Sequence, residues 1–536
     1  MLVSNMNKQK RTTLTPIKVL LAIFFLIAVV FPLIRMMMNM ADTDVSAILA
    51  SARFKKGLIN SLTTTTVATL ISVFIATLLS LLIERCNIKH KGMWKSLFIL
   101  PMLIPSISHG IGLIALFGRN GIITNFLNLP TTIYGFWGIV IGSVMYSFPV
   151  AFLMIDDVLK FEDSTPYEVA VVLDIKKRNQ ITAIFLPYIR KPMISIVFAT
   201  FTMIVTDYGV PLMLGGRYTT LPVVMYQDVI GLLDFGKGSV IGLVLLLPAI
   251  VAFLLDVLNK DDASSNFVVK PFEINKNKIL TTLGYILCIS VVVFIMLPIF
   301  AFLVMSFVNK YPVDMTATLS HIGRTLEMKA GTYLVNSLII SFCVAVFGVV
   351  LSTITAYCTA RIKTKFSKVL HLLSILTLAI PGLVLGLSYV LFFNGTFIYG
   401  TLAILILANL MHFFASPYLM MYNAYNKLNP NLESVGETLG LSKLYIFRDV
   451  ILPLSKSTIY EMFSYFFVNS MMTISAVSFL SSSSTQPLSL MIPMFEAQMM
   501  LESASLVSLL ILLINLTMKG IIYLFKNQGI NGVKYA

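Results

Sequence analysis

Long apolar segments alternate with short polar ones along the whole chain. A bilayer core about 30 Å thick needs about 20 apolar residues to be crossed by one helix, and twelve segments reach that length. They predict an all-α polytopic membrane protein with twelve transmembrane helices. In the first half the segments are 17–38, 60–83, 96–117, 133–155, 188–212 and 239–258; in the second they are 279–307, 334–359, 369–393, 398–422, 457–480 and 504–525.

The two sets of six segments are internal repeats. Short matches recur at an offset of 276 residues: Asn60-Ser61-Leu62 and Asn336-Ser337-Leu338, Arg85 and Arg361, Pro105 and Pro381. Both halves have the same number of segments and therefore the same orientation, which predicts two parallel six-helix repeats. We expect a first half at 1–258, a polar linker at 259–278 and a second half at 279–536.

Charge gives the expected orientation and excludes one class of partner. If the N-terminus lies in the cytoplasm, 29 of the 39 Lys and Arg residues fall on the cytoplasmic side, as the positive-inside rule requires. This predicts a multi-pass protein of the cell membrane with both termini in the cytoplasm. The net charge of +15 is spread over short loops between apolar segments, so we expect contact with lipid and no nucleic-acid partner.

One polar signature occurs twice, 266 residues apart, each time between the fourth and fifth segments of a half. Its positions are Glu168-Val169-Ala170, Asp174 and Leu186-Pro187 in the first copy, and Ser434-Val435-Gly436, Gly440 and Leu452-Pro453 in the second. Each copy predicts a short amphipathic helix that ends at the Asp or Gly position. Asp174 stands where the pattern has Gly. Ser434 stands where it has Glu, with Glu433 one position earlier.

This spacing resembles the coupling loop of binding-protein-dependent ABC importer permeases, and we assign the two loops to 156–187 and 425–453. The resemblance implies a permease that is not itself an enzyme and has no cofactor in this chain. ATP and Mg²⁺ would then be held by two ATPase subunits docked on the two loops. A substrate-binding protein would dock on the external side. All signature positions, with Glu433, are candidate ATPase-coupling residues.

The length also resembles the fused double permeases for iron(III), thiamine and 2-aminoethylphosphonate, which are related to polyamine permeases. The stretch 206–216 is most similar to the phosphonate members. It predicts 2-aminoethylphosphonate as the substrate, with iron(III), thiamine or a polyamine as alternatives.

Candidate substrate-pathway residues lie at the outer ends of the fifth and eleventh segments: Asp207, Tyr208, Asn469 and Thr473. A carboxylate inside a membrane is costly and suggests a functional site, but Asp207 could equally be a helix-end residue bonded to a nearby hydroxyl. The four cysteines and the histidines do not have metal-ligand spacing, so we expect no metal site.

Two other classes remain open. A secondary active transporter can also have two parallel six-helix repeats, but it should carry ion-coupling carboxylates in its helices, where Asp207 is the single candidate. A membrane-embedded enzyme should show clustered His, Asp or Glu within the apolar segments.

Overall fold

The structure, a computed structural model, describes residues 15–128, 130, 133–259, 270, 272, 277–362 and 364–533. Most of the predicted linker, at 260–269, 271 and 273–276, lies outside the described residues. The described part is helical except for its loops and one two-stranded antiparallel hairpin.

The helices of the first half include four that are each long enough to cross a membrane. They are α1 (Thr15–Met38), α2 (Val45–Ala50), α3 (Ala52–Arg85), α4 (Lys91–Leu103), α5 (Ser106–Phe117), α6 (Ile122–Phe126), α7 (Phe136–Lys160), α8 (Thr165–Val172), α9 (Lys177–Val205), α10 (Gly209–Leu214), α11 (Leu221–Leu232) and α12 (Phe235–Asn259).

The second half follows the same order, with an added hairpin after its first helix. Its elements are α13 (Lys278–Ser306), β1 (Val308–Lys310), β2 (Asp314–Ala317), α14 (Ser320–Glu327), α15 (Ala330–Arg361), α16 (Lys365–Ala379), α17 (Gly382–Phe393), α18 (Leu402–His412), α19 (Ala415–Lys427), α20 (Leu432–Thr438), α21 (Lys443–Ile446), α22 (Leu452–Leu454), α23 (Lys456–Met472), α24 (Met491–Ala497) and α25 (Leu501–Val533).

The prediction of twelve transmembrane helices is not confirmed. Among the described residues, seven helices are long and apolar enough to cross a membrane, and three bent pairs raise the number to at most ten. The bent pairs are α4 with α5, α16 with α17, and α18 with α19. Two predicted segments also end early, because α9 stops at Val205 and α23 at Met472.

Proline explains two of the bends. A residue that precedes proline is driven out of the helical region by the proline ring. Ile104 before Pro105 and Ile380 before Pro381 are both extended, and the helices turn there by 98° and 109°. The bend therefore recurs at the same position of both repeats, within the predicted segments 96–117 and 369–393.

The repeated Asn-Ser pairs form equivalent hydrogen bonds in the two halves. The Asn60 amide donates to the Thr219 carbonyl, and Ser61 Oγ accepts from the Leu221 N–H at 2.7 Å. In the second half Asn336 donates to the carbonyls of Ser484 and Gln486, and Ser337 Oγ accepts from the Leu488 N–H at 2.7 Å. The first pair thus holds the start of α11, and the second holds the 3-10 turn Leu488–Leu490 that leads into α24.

The halves interlock through their first helices. Helix α1 packs on α16 and α17 of the second half, while α13 packs on α3 and α5 of the first. Lys18 of α1 is 3% exposed and donates through Nζ to the Ile362 carbonyl at 2.8 Å and to Ser367 Oγ at 2.7 Å. Each half therefore completes its packing only with a helix from the other half.

Candidate functional site: two signature loops and their anchors

Both signature loops fold as a short helix that ends in a left-handed residue. In the first loop (156–187), Asp174 has φ +51° and the Ile175 N–H donates to the Ala170 carbonyl at 2.8 Å. In the second loop (425–453), Gly440 has φ +74° and the Leu441 N–H donates to the Gly436 carbonyl at 2.9 Å. Asp is one of the few side chains that tolerates this conformation, so its replacement of Gly preserves the turn.

The small residues of the signature serve a contact inside the loop. Ala170 is 2% exposed. A Cβ on Gly436 would collide with Cδ1 of Ile446 in α21, so glycine lets α20 lie directly against α21. The small residue Gly436 therefore admits the neighbouring helix of its own loop.

The Leu-Pro pairs follow a π-helical turn in both loops. The turns are Ile181–Phe185 before Leu186-Pro187, and Phe447–Ile451 before Leu452-Pro453. Proline has no N–H to continue the regular helix ladder, and a π-turn absorbs the mismatch. In the first half the helix continues through this turn, so α9 runs unbroken from Lys177 to Val205.

An arginine at the end of a long helix anchors each loop, and the sequence analysis did not assign it a role. Arg361, at the end of α15, donates from Nε to Glu433 Oε1 at 2.7 Å and from Nη2 to Glu433 Oε2. It also donates to the carbonyls of Tyr425, Leu428 and Asn429. The Arg361 side chain is only 6% exposed, so it ties α20 firmly to α15.

The first loop has a different anchor. Arg85, at the end of α3, donates to Glu162 Oε2 at 2.6 Å, and the Tyr167 hydroxyl donates to Glu162 Oε1 at 2.5 Å. Burial and the Glu162 carboxylate raise the pKa of Tyr167 to about 12, so its phenol remains protonated and donates. The signal that could have revealed both anchors is the arginine repeated at the offset of 276.

The signature glutamates point in different directions. Glu168 is half exposed and pairs with Lys270 Nζ at 2.7 Å, and this hydrogen bond lowers the pKa of Glu168. Glu433 instead faces Arg361, and Ser434 at the position equivalent to Glu168 is exposed. The glutamate of the first loop therefore contacts the linker, whereas that of the second contacts a long helix.

Exposed apolar side chains cover the outer surface of both loops. The most exposed are Val172 (84%) and Val171 (69%) in the first loop, and Leu444 (74%) and Leu439 (70%) in the second. Val169 and Val435 are about half exposed. A patch of this kind on a polar loop is typical of a protein-docking surface.

Around the predicted pathway residues, the structure shows a closed contact between the halves. The Tyr208 hydroxyl lies 2.7 Å from Ser478 Oγ of the second half, and its ring stacks on Tyr226. Asn469 donates to the Tyr465 carbonyl of its own helix, and the Thr473 carbonyl accepts from Ser489 Oγ. Of the four predicted residues, Tyr208 is the one whose side chain bonds across the two halves.

Asp207 caps a helix. Its carboxylate accepts from Ser106 Oγ at 2.6 Å, from the Val210 N–H at 3.0 Å and from the Gly209 N–H at 3.3 Å. These are the contacts of an N-terminal cap of α10. They match the helix-end alternative, while a role in the substrate pathway stays a prediction.

Comparison with known families decides the class of protein. The family model described as binding-protein-dependent transport system inner membrane component matches residues 76–260 and 348–528. This chain belongs to that family. The two matched regions are one in each half, and each contains one signature loop. The chain is thus a double copy of the family's domain.

Several relatives of this permease are named as ferric or thiamine transport proteins. The ferric transport system permease protein FbpB of Actinobacillus pleuropneumoniae is 25% identical over 494 residues, which are 88% of this chain and 72% of the relative. The putative ferric transport system permease protein FbpB 1 of Haemophilus influenzae is 25% identical over 87% of this chain and 78% of the relative. The thiamine transport system permease protein ThiP of Brucella abortus is 27% identical over 31% of this chain and 32% of its own length.

Proposed function

We propose that this permease forms the membrane pathway of an ATP-driven importer and that its two signature loops dock on two ATPase subunits. The observation that carries the proposal is the same exposed apolar surface on both loops, each backed by an arginine anchor to a long helix. ATP and Mg²⁺ belong to the ATPase subunits, and a substrate-binding protein docks on the opposite side.

The geometry supports a mechanical connection between the signature loops and the contact of Tyr208 with Ser478. Helix α9 has 29 residues and a length of about 43 Å, starting in the first signature loop and ending next to Asp207 and Tyr208. Arg85 ties the first loop to α3, and Arg361 ties the second loop to α15. When the ATPase subunits move the loops, the long helices move as rigid bodies and separate Tyr208 from Ser478.

Ferric iron is the substrate that the relatives favour. Two ferric permeases align over 87–88% of this chain, whereas the thiamine permease aligns over 31%. The phosphonate preference gains no support from these relatives. That preference rests on the resemblance of residues 206–216 to phosphonate permeases. In the structure, Asp207 of this stretch makes the contacts of a helix cap. A secondary transporter is disfavoured by the family membership.

Uptake assays test the substrate. A strain that lacks this gene should take up less radiolabelled ferric iron than the parent strain, and the full chain should restore uptake. Thiamine and 2-aminoethylphosphonate uptake, measured in the same strains, should be unchanged. Loss of thiamine uptake with normal iron uptake would assign the chain to thiamine instead.

Two substitutions test the coupling. Gly440→Val forces a β-branched residue to φ +74°, and Glu168→Lys places a second ammonium beside Lys270. Each should strongly reduce uptake and the co-purification of the ATPase while membrane insertion remains normal. Gly395→Val, strained equally at φ +82° in the loop between α17 and α18, is the matched control and should keep the ATPase bound. Normal uptake and ATPase binding in both loop variants would refute the coupling role.

A further inference from the structure

The described linker residues lie directly against the first signature loop. The Ser164 N–H donates to the Lys270 carbonyl at 2.9 Å, and the Lys270 N–H donates to Asp163 Oδ1 at 3.3 Å. The Lys270 ammonium pairs with Glu168. The linker backbone and one of its side chains are thus bonded to the residues that begin α8.

Phe272 completes an aromatic cluster around the Arg85 anchor. Its ring meets the Tyr167 ring edge to face, with centroids 5.0 Å apart. The Arg85 guanidinium carbon lies 4.5 Å from the Phe272 centroid, 5.2 Å from Phe185 and 5.5 Å from Tyr167. A cation held against three ring faces gains attraction from each of them. Phe272 is the closest of the three rings to the guanidinium carbon.

The equivalent arginine of the second half, Arg361, is held by a different group. Tyr167 occupies the position equivalent to Glu433, which pairs with Arg361 through both carboxylate oxygens. The first loop has no carboxylate at that position. Arg85 is held instead by Glu162, which lies before α8, and by the rings of Tyr167, Phe185 and Phe272. One of the groups that hold this anchor therefore comes from the segment that joins the halves.

We propose that Phe272 is a positioning residue for energy coupling: it locks Arg85 onto the first signature loop, so that movement of this loop is transmitted to α3. The proposal rests on the proposed function. Helix α13 of the second half begins at Lys278, six residues after Phe272, so this contact involves a residue close in sequence to the second half. The second loop needs no such contact, because Glu433 lies within α20 itself.

The test is the amount of substrate carried per ATP hydrolysed by the complete transporter in liposomes. Phe272→Ala should lower this ratio by about 2- to 30-fold, the range found for substitutions along coupling networks, while the ATPase subunits remain bound. Phe272→Tyr keeps the ring and should retain the wild-type ratio. Phe366→Ala, which removes an exposed aromatic residue from the first turn of α16, is the matched control and should also retain it.

Each remaining outcome is decisive. An unchanged ratio in Phe272→Ala, or an equal loss in Phe272→Tyr, would overturn the proposal. If Phe272→Ala does not accumulate in membranes, Phe272→Leu keeps an apolar side chain without the ring and is judged by the same ratio. Normal uptake and ATPase binding in both Gly440→Val and Glu168→Lys would instead refute the docking role of the loops, so a failure of the proposed function is recognised separately.

Discussion

Single arginines decide how firmly each signature loop is held. Arg361 makes a two-point contact with Glu433 and satisfies three carbonyls, a geometry that lysine cannot reproduce. The signature spacing predicts the loop residues but not these anchors. Hydropathy places Arg85 and Arg361 at the ends of long helices, and nothing local shows that each side chain bonds to a loop glutamate 77 or 72 residues later, respectively.

Replacing Arg361 should loosen the second loop. We expect Arg361→Ala to lower the free energy of local opening of α20 by about 2–3 kcal/mol, since it leaves Glu433 largely buried without its partner. Hydrogen exchange of residues 428–440 should then accelerate roughly 30- to 150-fold. Arg448→Ala, at an 82% exposed side chain, should leave exchange unchanged. Equal protection from hydrogen exchange in both variants would show that Arg361 does not anchor the second loop.

Substitutions at Asp207 separate capping from transport. Asn is also a good helix cap, whereas Ala removes the acceptor and should cost about 0.5–2 kcal/mol of stability. We therefore expect Asp207→Asn to melt near the wild-type temperature and Asp207→Ala to melt lower. Ferric iron uptake by Asp207→Asn then tests whether the charge of Asp207 is needed for transport. Wild-type melting with lost uptake would show that the charge itself serves the pathway.

At the scale of helices, the number and rough position of the apolar segments follow from hydropathy, but their breaks do not. Pro105 and Pro381 are repeat matches, and each lies in an apolar segment that hydropathy predicts as a single transmembrane helix. Proline inside a membrane helix can be tolerated, so the sequence alone does not give the bend. The 98° and 109° turns depend on neighbours that only the folded structure brings together.

One such neighbour is the segment that follows α23. A Cβ on Gly382, the first residue of α17, would collide with Ser475 Oγ and lie 3.1 Å from the Ala476 nitrogen. Gly382→Ala should therefore destabilise the protein by about 1–3 kcal/mol, measured as a lower melting temperature in detergent. Gly520→Ala in α25, where no atom lies within 4 Å of the added Cβ, is the control. A wild-type melting temperature for Gly382→Ala would show that this contact yields easily.

For the whole molecule, the repeat and the family follow from sequence, while the exchange of first helices between the halves does not. Offsets of 266 and 276 residues report similarity along the chain. They contain no information on whether α1 packs within its own half or on α16 and α17. The two loops are also less alike than their spacing suggests, because one is held by a glutamate of its own helix and the other partly by the linker.

The orientation of the whole molecule is open to direct labelling. Single cysteines at Thr43, Arg217 and Met315 should react with an impermeant thiol reagent added to intact cells. Cysteines at Asn179 and Ser442, which are exposed in the signature loops, should react only after the membrane is permeabilised. Labelling of the second pair in intact cells would reverse the orientation and remove the loops from a cytoplasmic ATPase.

The buried Lys18 ammonium has a consequence for how the chain is made. Its partners Ile362 and Ser367 are synthesised at least 344 residues later. At 5–20 residues per second, a ribosome needs about 17–70 s to reach them. Throughout that interval α1 sits in the membrane with a charged group that has not yet met its acceptors. Because Lys18 is the fourth residue of α1, its ammonium must stay hydrated at the membrane surface until these acceptors are made.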